Sequence, residues 1–248
     1  MIKKGYTKNI PLKYSEMDCR LVLKPSALLN FLQDMASDNA EMLGFGYSYI
    51  TKKNLMWFLL KYRMEFTDYP AAIEELELKT EPRGYAKLFA YRDFELYSKE
   101  KYLGRVSSLW SLVDMNTKSL APIATVLNNP NMPLHEKRED DLNFEKIPAI
   151  EKIDAEKTFE IRYEDIDVNR HVNNGNYIIW ALEPLEFEFR QKHKIKILDM
   201  VFKKEIQYGH KILSEVEYKS PTKTVHAVKN AETGEELCLV GIEWIKDI

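Results

Sequence analysis

Three polar side chains of different chemistry alternate in the second half of this 248-residue chain: Asp167, Asn169 and His171. On an extended segment, alternating side chains project to the same face. Asn174 follows at the position expected for a helix N-cap, near free backbone amides and the positive end of a helix dipole. This set combines a carboxylate, an amide, an imidazole and backbone donors, which suits it to stabilise the oxyanion formed when water attacks a carbonyl carbon.

Each of these residues also has a common structural role. Asx residues before a helix usually form caps and turns, and a single histidine often serves only packing and hydrogen bonding. The functional interpretation therefore depends on the whole string and on the elements that position it.

Those elements occur twice along the chain. The pattern Tyr-x-x-x-Asp of residues 14–18 recurs at 163–167, and an apolar helical segment follows each copy, at 27–32 and 176–181. In the first half, Pro25 suits the first helical turn and Gly44 suits the helix end. Each half is therefore predicted to run from a short strand, through a turn, into a helix.

Strand-like runs follow each predicted helix, which is the order expected of an α+β fold. In the first half they cover 55–66, 75–80, 85–97 and 105–114. In the second half a helix over 174–190, with a kink or early end at Pro184, precedes strands over 200–208, 212–219, 224–230 and 236–246. Asn and Pro residues near 128–133 and a charged run over 135–141 predict a linker at 128–157, between domains 1–127 and 158–248.

Composition restricts the other functions. Hydrophobic residues make up 45% and charged residues 30%, which is typical of a globular protein, and a net charge of -3 gives no global field for nucleic acid. Cys19 and Cys238 lack the spacing of a disulfide framework or a zinc site. Without a signal-like start or an apolar run long enough to span a membrane, a cytoplasmic protein is expected, with no cofactor, metal, nucleic-acid or membrane partner.

The string D-x-N-x-H-V-N-N-x-x-Y-x-x-W, from Asp167 to Trp180, resembles the catalytic motif of the acyl-acyl carrier protein (acyl-ACP) thioesterases of plastids and bacteria. Segments 27–33, 43–46 and 108–110 resemble the first half of that family. The resemblance implies a tandem hotdog fold, in which an antiparallel sheet wraps a long helix in each half. It also implies hydrolysis of a fatty acyl-ACP thioester to free fatty acid and holo-carrier.

The same resemblance implies catalytic roles for Asp167, Asn169, His171 and Glu205, with Glu205 on a strand that begins near Met200. Glu205 would be the general base, its pKa raised by partial burial.

Further positions bear on the catalytic roles that the resemblance implies. Ile206 stands where plant members often have a cysteine, which excludes a Cys-His-Asn mechanism on this strand. Asp165 is a minor competitor for the role of Asp167. The repeat places Arg20 and Val22 opposite Asn169 and His171, so the first half is expected to shape the acyl pocket instead.

Further residues are predicted to bind substrate. Asn174 would contribute at the helix start, and Trp57 would line the acyl pocket or fill core. A basic run from Arg190 to Lys204, which contains Lys203 and has one acid, predicts a docking surface for the acidic carrier protein. Lysines near a helix end also complement its dipole without any partner.

Two other functions remain open at this stage. A thioesterase acting on acyl-coenzyme A would use the same site without a docking surface. A non-enzymatic acyl-thioester-binding module is disfavoured, because it needs no water-activating base. Chain length, saturation and oligomeric state stay open, a homodimer included, as does whether Asn169 or His171 contacts the carbonyl.

Overall fold

The computed structural model describes residues 5–71, 74–126, 129 and 131–247, apart from the side chains of 125 and 126. Its strands are β1 Tyr6–Pro11, β2 Leu55–Phe66, β3 Glu75–Ala86, β4 Phe89–Ser98, β5 Lys101–Asp114, β6 Ser119–Ala121, β7 Ala155–Glu160, β8 His193–Phe202, β9 Lys211–Ser220, β10 Lys223–Asn230 and β11 Glu236–Lys246. Its α-helices are α1 Pro25–Met42, α2 Tyr47–Ile50, α3 Ile123–Val126, α4 Asn174–Leu182 and α5 Phe187–Lys192.

All the described strands belong to one antiparallel sheet. Their order is β1-β3-β4-β5-β2-β8-β11-β10-β9-β7, with β6 added to β5, so the two halves of the chain meet where β2 pairs with β8. Helices α1 and α4 contact each other, and their buried apolar residues belong to the same core as those of β2 and β8. The α+β prediction is confirmed.

Local signals explain the bounds of the two core helices. Pro25 occupies the first turn of α1, and Gly44, just past its end, has a left-handed φ of 83°. Helix α4 ends at Leu182, and α5 begins only at Phe187, so the break predicted at Pro184 is confirmed. A proline in a helix interior removes one hydrogen bond and clashes with the preceding turn.

The predicted bounds of β2 and β11 agree with the structure, whereas those of β8 were wrong. Strand β8 was expected to begin near Met200 and to continue through Glu205, but it spans His193–Phe202. Its last pair with β2 is Val201 opposite Lys61, and its last pair with β11 is Phe202 opposite Cys238. The chain therefore leaves the sheet before Glu205.

The linker at 128–157 stays a prediction, and residues 127, 128 and 130 lie outside the described residues. Residues 131–154 contain no helix, and Leu134 makes a single parallel bridge to Tyr85 of β3. The domain boundaries stay a prediction.

The first copy of the repeated pattern forms a tight turn that joins the two halves. The backbone N–H of Asp18 donates to the carbonyl of Val22, and Leu21 takes a left-handed φ of 58°. From this turn the Arg20 guanidinium donates to the carbonyl oxygens of Gln191 and His193, at 3.2 and 3.1 Å. Arg20 thus holds the first half against the start of β8.

We expect Arg20→Ala to lower the free energy of unfolding by about 2–3 kcal/mol, since it removes charge-assisted hydrogen bonds and leaves two carbonyls without their donor. Urea denaturation measures the change. Arg170→Ala is the control, because Arg170 is an exposed arginine in the second copy of the turn. Equal losses in both variants would show that Arg20 does not join the halves.

Candidate active site

The second copy of the turn organises the predicted catalytic residues. The backbone N–H of Asp167 donates to the carbonyl of His171 at 2.8 Å, and Arg170 has a left-handed φ of 65°. The Asp167 carboxylate oxygen Oδ1 accepts from the backbone N–H groups of Asn169 and His171, at 2.8 and 3.3 Å. The expected extended segment was therefore wrong, because the carboxylate closes an Asx turn.

The N-cap of α4 is one residue earlier than predicted. Asn173 Oδ1 accepts from the N–H of Gly175 at 2.7 Å, which makes Asn173 the cap and Asn174 the first helical residue. The Asn174 side chain instead donates from Nδ2 to Gln33 Oε1 of α1, at 3.1 Å. Asn174 therefore links the second half to the helix of the first.

A loop after β8 brings Glu205 to the turn. Val172 donates its N–H to the carbonyl of Ile206 at 3.0 Å, which fixes the loop beside His171. Glu205 Oε2 lies 3.3 Å from His171 Nδ1. This contact lacks hydrogen-bond geometry, so Nδ1 is buried without a hydrogen-bond partner among the described residues. On the other side of the ring, Nε2 lies 3.4 Å from Gln207 Nε2.

Burial raises the pKa of Glu205, and the negative charge of Asp167 raises it further, while His171 and Lys118 oppose both effects. The Glu205 side chain is 39% exposed, because it lies at the mouth of a cavity. A carboxylate that is partly desolvated in this way accepts a proton more readily than one in bulk water.

That cavity has a volume of about 770 Å³ and extends from the catalytic residues into the first half. Its mouth is polar and includes Asp167, Asn169, His171, Asn174, Glu205, Gln207, Lys118, Lys203 and Lys204. Its inner wall is mostly apolar and includes Ala40, Phe45, Ile50, Met56, Trp57, Ala90, Trp110, Val113 and Met132. Trp57 is fixed there by a hydrogen bond from Nε1 to the carbonyl of Phe45, at 3.0 Å.

The predicted docking residues do not form one free basic surface. Lys203 pairs with Glu236, and Lys204 pairs with Glu235 at 2.6 Å. Arg190 is not among the residues that line the cavity; it lies on α5, 3.5 Å from Glu183. Arg190 therefore lies outside the cavity lining, and its assignment to a docking surface stays a prediction.

Asp165 has a structural role. Its side chain is 1% exposed, accepts from the backbone N–H of Arg162 at 2.8 Å and pairs with the Arg162 guanidinium at 2.7 Å. Asp165 does not line the cavity.

The first half keeps only the aspartate at the positions equivalent to the predicted catalytic residues. Leu23 donates its N–H to the carbonyl of Pro70 at 2.9 Å, as Val172 does to Ile206, which places Tyr69 where the second half has Glu205. Tyr69 is buried, and burial raises its pKa. With Val22 in the place of His171, this half has neither a base nor an imidazole.

Gln33, Arg92, Lys118 and Gln207 also line the cavity, and the sequence motifs did not single them out. Three of them, Gln33, Arg92 and Lys118, come from the first half, at least 49 positions before the motif that begins at Asp167. Only the packing of elements that are distant in sequence brings these three residues to the site, so no local sequence pattern could have revealed them.

Within the described ranges, no group of three or more His, Cys, Asp or Glu side chains could hold a metal ion. None of the helices described there is long and apolar enough to cross a membrane.

The fold and the site together define a tandem hotdog protein. The structure is similar to an acyl-ACP thioesterase from Bacteroides thetaiotaomicron, with a TM-score of 0.86 and 23% identity over 97% of this chain and 98% of that one. It is also similar to a 12:0-ACP thioesterase from Umbellularia californica, with a TM-score of 0.83 and 19% identity over 98% of both chains. These likenesses confirm the tandem hotdog prediction.

Family models identify the chain more closely. The model of the acyl-ACP thioesterase N-terminal domain matches residues 3–129, and that of the C-terminal domain matches residues 149–246. The chain therefore belongs to the acyl-ACP thioesterase family, as the sequence resemblance predicted.

Curated plant relatives are longer than this chain. The chain is 25% identical to the chloroplastic oleoyl-acyl carrier protein thioesterase 2 of Arabidopsis thaliana, over 89% of this chain and 65% of that protein. It is 24% identical to the chloroplastic palmitoyl-acyl carrier protein thioesterase of Gossypium hirsutum, over 81% and 52%. The chain thus spans between half and two thirds of the length of these relatives. These relatives are chloroplastic, and the cytoplasmic location expected for this chain stays a prediction.

We expect Glu205→Gln to raise the melting temperature near pH 7. Burial gives the Glu205 carboxyl a higher pKa in the folded protein than in the unfolded chain, so its ionised form destabilises the fold above both values. Below the unfolded-state pKa the carboxyl is protonated in both states, so the difference in melting temperature between Glu205→Gln and wild-type protein should disappear. Scanning calorimetry at pH 7 and near pH 4 measures both effects, with Glu139→Gln as an exposed control. A lower melting temperature at pH 7 would contradict the inferred desolvation.

Proposed function

We propose that this protein hydrolyses the thioester of fatty acyl-ACP, releasing free fatty acid and holo-carrier. The observation that carries the proposal is the Glu205–His171 pair at the mouth of a largely apolar cavity. A hydrophobic chain would occupy the cavity, and its thioester would lie among the polar groups at the mouth. The similar proteins described above are named as carrier-protein thioesterases, which supports the carrier protein as the substrate class.

In the proposed mechanism, Glu205 takes a proton from water as that water attacks the thioester carbonyl carbon. The carbonyl oxygen becomes an oxyanion, then the C–S bond breaks, and the carrier thiolate receives the proton from Glu205. Asn169 and His171 orient the water and the carbonyl. Asp167 is a positioning residue, because its carboxylate already accepts the backbone N–H groups of the turn.

The start of α4 offers a further oxyanion donor. The N–H of Gly175 is occupied by the Asn173 cap, and the N–H of Asn176 donates to the Asn173 carbonyl. The N–H of Asn174 has no acceptor among the described residues, which leaves it available to the developing charge at the positive end of the helix dipole.

A covalent cysteine mechanism has no support in the arrangement of the site. Cys19 and Cys238 are both absent from the cavity lining, and burial raises the pKa of Cys238. A thiol that stays protonated is a poor nucleophile.

We expect Glu205→Gln to lower kcat by at least about 100-fold, because glutamine keeps the size of the side chain but cannot accept a proton. Asp167→Asn should be milder, since asparagine can still close the turn. The wild-type rate should fall at acid pH as Glu205 becomes protonated, with its midpoint above the usual glutamate range. Single-turnover hydrolysis by folded variants measures these changes.

The opposite ranking would contradict this assignment. If Glu205→Gln keeps nearly wild-type rates while Asp167→Asn abolishes turnover, the general base is the other carboxylate.

We expect the double change Lys203→Glu and Lys204→Glu to lower kcat/KM for an acyl-carrier substrate more than for the same acyl group on coenzyme A. Both lysines lie at the mouth, where an acidic carrier must dock, and the effect should weaken as salt increases. Lys223→Glu is the matched control, because Lys223 is also an exposed, paired lysine but lies away from the cavity. Equal losses on both substrates would show that these lysines do not bind the carrier.

A further inference from the structure

A buried arginine lies in the wall of the acyl cavity. Arg92 of β4 is 5% exposed, and its Nη1 donates to Asn39 Oδ1 at 2.8 Å and to Thr80 Oγ1 at 3.1 Å. The neighbouring Asp93 carboxylate pairs with Arg83 instead. Within the described part of the chain, no carboxylate lies within ion-pair distance of Arg92. Burial lowers the pKa of Arg92 to about 10, so the guanidinium stays charged near neutral pH.

The guanidinium has donors left for a ligand. Arg92 lines the cavity together with Pro82, Ala90 and Trp110. Its Nε and Nη2 atoms make no hydrogen bond to the described residues, since both hydrogen bonds come from Nη1. A buried cation with unused donors is costly unless a ligand or water accepts from it. Arg92 thus places a charged, hydrogen-bonding group next to apolar side chains of the cavity wall.

The position of Arg92 along the cavity follows from its hydrogen bond to Asn39 of α1. Gln33 contacts Asn174 at the catalytic end, and Asn39, which holds Arg92, lies six residues further along the helix. At 1.5 Å per residue, this places Arg92 about 9 Å from the catalytic end along the helix axis. An acyl chain that enters from the mouth would therefore reach Arg92 part-way along its length, away from the thioester.

We propose that Arg92 is a specificity-determining residue that selects acyl chains carrying an oxygen substituent, a hydroxyl or oxo group, part-way along the chain. The inference rests on the proposed function, since it assigns a substrate class to the same cavity. The oxygen accepts from the free guanidinium donors. A plain methylene chain at the same depth leaves those donors unpaired, and sites with such buried donors discriminate strongly against the analogue that lacks the acceptor.

The test compares carrier thioesters of one chain length, either plain or with a single hydroxyl at successive mid-chain carbons. For wild-type protein we expect kcat/KM for one hydroxyl position to exceed that of the plain chain by at least about 10-fold. Arg92→Met should bring kcat/KM for the plain and hydroxylated chains together, and Arg92→Lys, which keeps the charge, should retain part of the difference. Equal kcat/KM for the plain and all hydroxylated chains in wild-type protein would overturn the proposal, even if Arg92→Met does not fold.

A binding measurement separates this inference from the proposed function. Free mid-chain hydroxy fatty acids should raise the melting temperature of Glu205→Gln protein more than plain fatty acids do, because a ligand that binds the folded state stabilises it. If no thioester is hydrolysed but this difference persists, the proposed function fails and the role of Arg92 stands. If thioesters are hydrolysed and the two kinds of acid shift the melting temperature equally, the role of Arg92 fails and the proposed function stands.

Discussion

The antiparallel pairing of β2 with β8 is the interaction on which the rest of the structure depends. It joins the two halves from Lys61 opposite Val201 to Glu65 opposite Ile197. In the same pairing Arg63 donates to Asp199 at 2.7 Å. Strand β2 supplies apolar wall to the cavity and β8 leads into the Glu205 loop, so this register aligns the cavity with the catalytic residues. A slip of one residue would turn every side chain of one strand to the opposite face.

The two halves share a tight turn closed by an aspartate, but the residues within the turn have different roles in each half. In each, an aspartate closes a tight turn by accepting backbone N–H groups, at Asp18 in the first half and Asp167 in the second. Closing the turn constrains the aspartate but leaves the next positions free to vary. Arg20 therefore serves to join the halves, whereas Asn169 lies at the cavity mouth. The same turn thus supports a contact between the halves in one copy and a cavity-lining residue in the other.

Local patterns in the sequence were enough to predict much of the fold. The bounds of β2 and β11 and the break near Pro184 follow from apolar runs and proline geometry, which act over a few residues. Predictions failed where side chains or distant partners decide the backbone. The Asp167 carboxylate folds its segment into a turn, and β8 ends at its last pair with β11, Phe202 opposite Cys238, rather than at residue 208 as predicted.

The residues of the candidate site also divide into those that the sequence predicted and those that only the structure reveals. Asp167, Asn169 and His171 were found from one motif, and Glu205 from the family resemblance, and the structure brings all four to the cavity mouth. Arg190 was included because it belongs to the basic run, and it lies on the short helix α5 outside the cavity lining, where its docking role stays a prediction. Residues such as Arg92 and Lys118 depend on pairing between distant strands, which a single sequence does not specify.

The central claim is that water attacks the thioester directly, with Glu205 as base and no acyl-enzyme intermediate. Single-turnover hydrolysis in water enriched in oxygen-18, with enzyme in excess, tests it most directly. Direct attack places one labelled oxygen in the released fatty acid and none in the peptide that contains Glu205. Label in the Glu205 carboxylate would instead reveal a mixed anhydride formed by nucleophilic attack, and would contradict the account.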